Sequence, residues 1–136
     1  MVIDGDLKVD DRGTVTFVND FDFKDVKRFY MVSNHSKGFV RAWHGHKKEG
    51  KYAFVTKGAI KLAVVKMEDE KIAAIHILSS GKPQILFIPP GYYNGFKTLT
   101  DDTQVMFFST STLEETEGDD YRKPADSWNL FEVVER

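Results

Sequence analysis

The sequence predicts an all-β jelly-roll sandwich or barrel. Seven short runs rich in β-branched and aromatic residues carry that reading, with regular turn-forming breaks between them and strict alternation in one run. The runs are Phe29 to Val32, Phe39 to Trp43, Tyr52 to Thr56, Ile60 to Val65, Ile72 to Leu78, Ile85 to Ile88 and Val105 to Phe108. Each is short enough for a strand and too short for a helix that buries a face. The breaks hold Gly, Asn, Asp and Ser, as at Ser36 to Gly38, Lys57 to Gly58, Glu68 to Glu70, Ser79 to Gly81 and Thr100 to Asp102. These residues tolerate turn geometry or bond their own backbone. Ile60, Leu62 and Val64 alternate with Lys61 and Ala63, the pattern of a strand with one buried face. Leu113 to Asp120 is acidic and predicts a short helix or solvated loop. No repeat or linker divides residues 1–136, which predicts a single domain.

Composition narrows the function. Hydrophobic residues make up 41% of the chain and charged residues 29%, as in an ordinary globule. A net charge of −2, without a basic stripe, argues against nucleic-acid binding. The absence of cysteine excludes disulfides, thiolate catalysis and thiolate metal sites. Met1 to Asp6 is acidic with no apolar core, so no signal peptide is expected; no run nears the roughly 18 apolar residues of a membrane span. The expectation is a cytoplasmic protein that acts away from membranes.

The most informative stretch runs from Gly38 to Gly58. Gly38, five residues, His44-x-His46, four residues, Lys51, six residues and Gly58 have the spacing of the first cupin motif. Histidines at i and i+2 of a strand face the same way. Metal-binding cupins carry glutamate where Lys51 stands, and a cation does not ligate a cation. The second motif is present in outline: Gly81 leads to Pro89, Pro90, Gly91, Tyr92, Tyr93 and Asn94, with Asn94 where a ligating histidine would stand. Alone, the Pro-Pro-Gly step is a type II turn, and paired strand histidines are often surface residues. Together the motifs predict a cupin pocket. With Lys51 and Asn94 in two of the four ligand positions, no metal is expected.

Acid–base chemistry remains. A neutral imidazole accepts a proton near pH 7, which makes His44 the better-placed general base. A carboxylate behind it would fix the tautomer and stabilise the imidazolium. Arg41, three before His44, faces the opposite way in a regular strand; only a bulge or the barrel mouth would bring it to the same ligand. His35 and His76 have no comparable context and read as structural or exposed.

Ser33 to His44, with Arg41-Ala42-Trp43-His44 at its end, resembles the segment ending in Arg-Gly-Leu-His in the dTDP-4-dehydrorhamnose 3,5-epimerase family. Gly50 to Ile60 is similar to that family's Gly-Lys-Leu-Val strand pair, and Ile88 to Phe96 to its Ile-Pro-x-Gly-Phe-x-His-Gly-Phe. Asp11, Arg12, Gly13 and Phe17 fit its opening loosely. The likeness covers about residues 10 to 110, and Tyr121 to Asp126 looks like a shortened family ending.

The resemblance implies a homodimeric jelly roll that acts, without cofactor, on a nucleotide-diphosphate 4-keto-6-deoxyhexose in deoxysugar biosynthesis. His44 matches the histidine that removes the proton and Lys51 the lysine beside the 4-keto oxygen. Arg41, and Arg12 from the partner subunit, would hold the diphosphate, with Asn34, Ser36, Asn94 and Phe107 beside the substrate. Phe107 stands where the family has a tyrosine acid, which leaves Tyr92, Tyr93 or His46 to return the proton. Asp126 is the expected carboxylate partner of the base. Arg41 to Lys48 also resembles the Arg-Gly-x-His-Ala-His-Lys of the nucleotide-sugar 3,4-ketoisomerases, which start with the same proton removal. A non-catalytic nucleotide-sugar-binding cupin is the third alternative.

Overall fold

Strands form where the β-branched and aromatic runs stand. The computed structural model, which describes residues 1–136, has β1 (Val2–Asp4), β2 (Asp6–Asp10), β3 (Gly13–Phe17), β4 (Arg28–Asn34), β5 (Val40–His46), β6 (Lys51–Lys57), β7 (Ala59–Lys66), β8 (Ile72–Ser79), β9 (Gln84–Ile88), β10 (Tyr92–Thr98), β11 (Thr103–Ser109), α1 (Leu113–Glu117) and β12 (Tyr121–Arg122), followed by a 3-10 turn, Ala125–Ser127. Each predicted run lies within a strand to within a residue. The hairpin β2–β3, the short β1 and β12, and β10 were not among them.

The strands make two five-stranded antiparallel sheets, ordered β1-β9-β6-β11-β4 and β12-β5-β10-β7-β8, while β2 and β3 pair only with each other. The architecture is a cupin-like β-sandwich. Alternation sets its interior. Ala53, Val55, Leu86, Val105 and Phe107 of the first sheet meet Ile60, Leu62, Val64, Leu78 and Phe96 of the second in one buried cluster. Burying each of the Val, Leu, Ile and Phe side chains fully is worth about 1.5–3 kcal/mol. A smaller cluster lies outside the second sheet, where Trp43, Ala63, Val65 and Tyr93 are covered by Phe131, with Trp128 and Leu130 beside them.

The capping box of α1 closes its first turn: Thr112 accepts from the Glu115 amide, and the Glu115 carboxylate accepts from the Thr112 amide. The acidic stretch is thus helical at its start, and beyond the helix Asp119 is buried while Asp120 stays exposed.

One irregularity shapes the interior. Along β10 the register with β5 steps from Asn94↔His44 to Phe96↔Arg41, so β5 advances three residues while β10 advances two. The extra residue is a bulge, and it presses Ala42 toward β10 opposite Gly95. A Cβ on Gly95 would meet the Ala42 Cβ at 2.5 Å. Gly95→Ala is therefore expected to destabilise the protein by about 1–3 kcal/mol, the usual cost of overpacking, read as a lower urea midpoint with an unchanged denaturant slope.

Candidate active site

The interior is apolar at one end of the sandwich and charged at the other. There a cavity of about 300 Å³ opens between the sheets. Arg41, His44 and His46 of β5, Asn94 and Phe96 of β10, and Arg122 of β12 line it from one sheet. Arg28, Tyr30 and Val32 of β4, Lys51 of β6 and Phe107 of β11 line it from the other, with Thr116 and Asp120 at the rim. Phe96 and Phe107 approach across the sheets, ring centroids 6.4 Å apart, and close the apolar floor.

Behind one wall lies Glu49, whose side chain is fully buried. One carboxylate oxygen faces Lys51 Nζ at 3.4 Å and His46 Nε2 at 3.3 Å; the other faces Arg28 Nη2 at 3.4 Å. That second oxygen also accepts hydrogen bonds from Ser109 Oγ, at 2.9 Å, and from the Thr116 hydroxyl. Burial pushes the Glu49 carboxyl upward, but the Thr116 bond, the Lys51 and His46 charges and the Ser109 bond outweigh it and hold it below its ordinary value. Glu49 is thus a buried anion that fixes the Lys51 ammonium at the cavity wall. The ammonium also lies 5.6 Å from the Tyr30 ring centre and 5.9 Å from that of Phe107.

Asp119 fixes the turn that carries Glu49. Its carboxylate accepts the backbone N–H groups of Lys47, Lys48 and Glu49 at 2.7, 2.9 and 2.9 Å. Burial raises this carboxyl, and those three bonds more than compensate, so it too sits low. The Asp119 carbonyl lies 2.6 Å from His46 Nδ1, which must donate, because a carbonyl only accepts. Both nitrogens of His46 therefore face protein acceptors.

His44 is different: it makes no side-chain hydrogen bond within the protein and points into the cavity. Desolvation first, then the Arg122 and Lys51 charges, lower its pKa below the ordinary 6.5, against an opposing pull from Asp120. It is neutral at pH 7 and able to take a proton. The β5 bulge turns Arg41 to the same side as His44, and Arg41 Nε donates to Asn34 Oδ1 at 2.8 Å, which holds the guanidinium in place. Three arginines and a lysine ring a neutral imidazole, an arrangement suited to an anionic ligand that carries a weakly acidic proton.

The family model for dTDP-4-dehydrorhamnose 3,5-epimerase matches residues 1–127. The chain belongs to the dTDP-4-dehydrorhamnose 3,5-epimerase family. Among solved structures, the epimerase of Sulfolobus tokodaii is similar at 25% identity over 94% of this chain and 78% of that one, with a TM-score of 0.77. The epimerase of Bacillus anthracis, crystallised with TDP and pyrophosphate, is 21% identical over 98% and 85%, with a TM-score of 0.79. The 3,4-ketoisomerase QdtA of Thermoanaerobacterium thermosaccharolyticum, as a double mutant with TDP, is 22% identical over 90% and 86%, with a TM-score of 0.69. The chain spans 66% of the length of the Mycobacterium tuberculosis epimerase. No curated protein sequence matches it.

Of the residues singled out from the sequence, His44, His46, Lys51, Arg41, Asn94 and Phe107 line this one cavity, as the family pattern implies. Asn34 stands behind Arg41 rather than in the cavity wall, and Asn94 Nδ2 donates to the His44 carbonyl. Ser36 is exposed, and its carbonyl accepts from Thr98. Arg12 sits at the tip of the β2–β3 hairpin, paired with Asp10 and away from the cavity of its own chain. Tyr93 faces the outer cluster with Trp43, and Tyr92 lines a separate cleft with Lys47 and Lys66. Asp126 is not beside His44. It belongs to the 3-10 turn whose neighbours Trp128 and Phe131 cover the outer face of the His44 sheet, so the sheet itself lies between them. Asp120 is the acidic group that shares the cavity with His44.

Arg28, Tyr30, Glu49, Thr116, Asp119, Asp120 and Arg122 went unread in the sequence. Glu49 left a trace, being a carboxylate two residues before Lys51. The others come from distant segments that only the fold brings together.

Replacing Glu49 leaves Lys51, Arg28 and His46 without their buried counter-charge. Glu49→Gln is expected to cost about 3 kcal/mol at pH 7, in line with breaking buried pairs. The depressed Glu49 pKa contributes stability above its ordinary 4.5 that is lost as pH falls toward the folded value. Urea denaturation should therefore show the gap between wild type and variant closing below about pH 4.5.

Proposed function

We propose that this protein is a cofactor-free epimerase of deoxysugar biosynthesis, acting on a nucleotide-diphosphate 4-keto-6-deoxyhexose. Family membership and one observation support this reading: a neutral His44, an ammonium fixed by Glu49 and three arginines converge on one cavity. A proton α to a ketone is acidic only when the enolate oxygen is stabilised, and the Lys51 ammonium in a partly dry site does that well. His44 takes the α-proton, the electron pair moves onto the carbonyl oxygen, and Lys51 balances the charge. Arg41, Arg28 and Arg122 bind the diphosphate through paired N–H groups.

Phe107, without a hydroxyl, favours a second reading, a 3,4-ketoisomerase. There the enolate oxygen at C4 is protonated, the C3 hydroxyl gives up its proton, and C4 takes a proton as the carbonyl forms at C3. Against it, His46 is held at Nδ1 by the Asp119 carbonyl, and its Nε2 lies 3.3 Å from the Glu49 carboxylate, which turns the ring toward the scaffold.

Incubation of dTDP-4-keto-6-deoxyglucose with enzyme in deuterated water, followed by NMR, tests the proposal. Deuterium should enter next to the carbonyl while the carbonyl stays at C4; a C3 carbonyl would favour the isomerase, and a bound but unexchanged sugar would leave only a binding protein. His44→Asn is expected to lower kcat about 10²–10⁴-fold with binding of dTDP retained. Because the base works unprotonated and burial with the Arg122 and Lys51 charges lowers its pKa, the acid limb of kcat/KM should have its midpoint below pH 6.5.

The same reading places the enzyme in the cytoplasm, as a homodimer. No helix is long and apolar enough to cross a membrane. The outward side chains of the first sheet include Phe29, Phe108, Tyr52 and Phe87 in one cross-strand row, and Met31, Met106, Phe54 and Ile85 in the next. Phe21 and Phe23 cover part of the first row, but Phe29 and Met31 on the edge strand stay exposed. A sheet apolar on both faces suits burial against a second copy. The free-standing hairpin, with exposed Val9 and Val15, would then carry Arg12 over the partner. Sedimentation equilibrium should give a dimer for wild type and a monomer for Met31→Glu.

A further inference from the structure

Inversion at carbon needs two proton-handling groups on opposite faces of a planar enolate. A group that takes the proton from one face and returns it there restores the starting configuration. In this sandwich the two faces of a flat ligand correspond to the two sheets, which stack about 10 Å apart. His44 comes from β5 in one sheet, so the second group must come from the other. Only β4, β6 and β11 of that sheet reach the cavity. Their side chains there are Arg28, Tyr30, Val32, Lys51 and Phe107. Val32 and Phe107 carry no proton to give, Arg28 does not deprotonate in proteins, and Lys51 is committed to the enolate oxygen and to Glu49.

Tyr30 is left. It is the one phenol lining the cavity. It is the direct cross-strand partner of Phe107, and the two rings stack with centroids 5.2 Å apart and planes 20° apart. The Arg28 guanidinium lies 5.1 Å from its ring centre and the Lys51 ammonium 5.6 Å, so the ring is held from several sides. Its hydroxyl makes no hydrogen bond within the protein and is free to meet a ligand.

Resting on the epimerase reading, we infer that Tyr30 is the proton donor on the face opposite His44. His44 takes the α-proton and becomes an imidazolium, and the C–H electron pair becomes the enolate. The enolate carbon then takes the Tyr30 O–H proton from the other side while the carbonyl re-forms. The phenolate and the imidazolium left behind return to their starting states by exchange with solvent. The phenol thus sits one strand away from Phe107, at the same level of the same sheet.

The test uses the full-length protein with dTDP-4-keto-6-deoxyglucose in deuterated water, with wild type, Tyr30→Phe and the Tyr30→Phe/Phe107→Tyr double variant compared by NMR. For Tyr30→Phe, deuterium should still enter next to the carbonyl with retained configuration, while the inverted product falls at least about 100-fold. The double variant, with its phenol one strand over, should recover part of the inversion. That recovery also separates loss of a proton donor from loss of packing. Inversion by Tyr30→Phe at the wild-type rate overturns the inference while leaving the epimerase reading intact. Loss of exchange together with inversion in a folded Tyr30→Phe overturns it as well, since the enolate itself would then depend on Tyr30. A wild type that neither exchanges nor inverts, or that moves the carbonyl to C3, overturns the epimerase reading and this inference with it.

Discussion

A single buried carboxylate organises this site. The Glu49 side chain is fully buried, and an isolated anion there would cost many kcal/mol. It is tolerated because cationic and basic groups from three directions, together with two hydroxyls, surround it. The constraint runs both ways. Lys51, which projects inward between two apolar sheets, would be as costly without Glu49. The pair therefore determines where the ammonium sits, and so where a carbonyl oxygen can be stabilised.

Asp119 extends the same logic to the backbone. By gathering three successive amides it shapes the turn between β5 and β6, and through its own carbonyl it orients His46. The segment after β11 is in this way part of the site, although it contributes few residues to the cavity wall. His46 thereby belongs to this scaffold while its ring also lines the cavity. The pairing with His44 suggested by their spacing is real in direction, since both face inward, but the two imidazoles have different surroundings.

The fold was largely legible because its signals are local. Period-two alternation and turn residues are readable one segment at a time, and β4 to β9 and β11 announced themselves. β10 did not, because Asn94 and Gly95 interrupt its apolar pattern; Gly95 is there for the close approach of Ala42 and not for strand propensity. Within the site, His44 and Lys51 could be read from motif spacing, whereas Arg41 came from the family likeness, because regular alternation puts it on the opposite face and only the bulge turns it inward. Tyr30, Arg28 and Arg122 could not, since nothing near them in the chain marks them. They are brought in by strand pairing across long sequence separations, Tyr30 to Phe107 and Arg122 to His44. The Asp126 expectation failed for a related reason: residue order places it near the end of the family pattern, while the aromatic tail carries it to the far side of the sheet.

The bulge in β5 makes the lining of the site depend on how many residues precede His44, and not only on which they are. Deleting a single position there would swing Arg41 to the outer surface and bring an uncharged neighbour in, without altering any side chain that performs chemistry. Ligand preference among such sandwiches can therefore drift by indels as readily as by point substitution. Alignments that ignore a one-residue slip would match the wrong side of the strand.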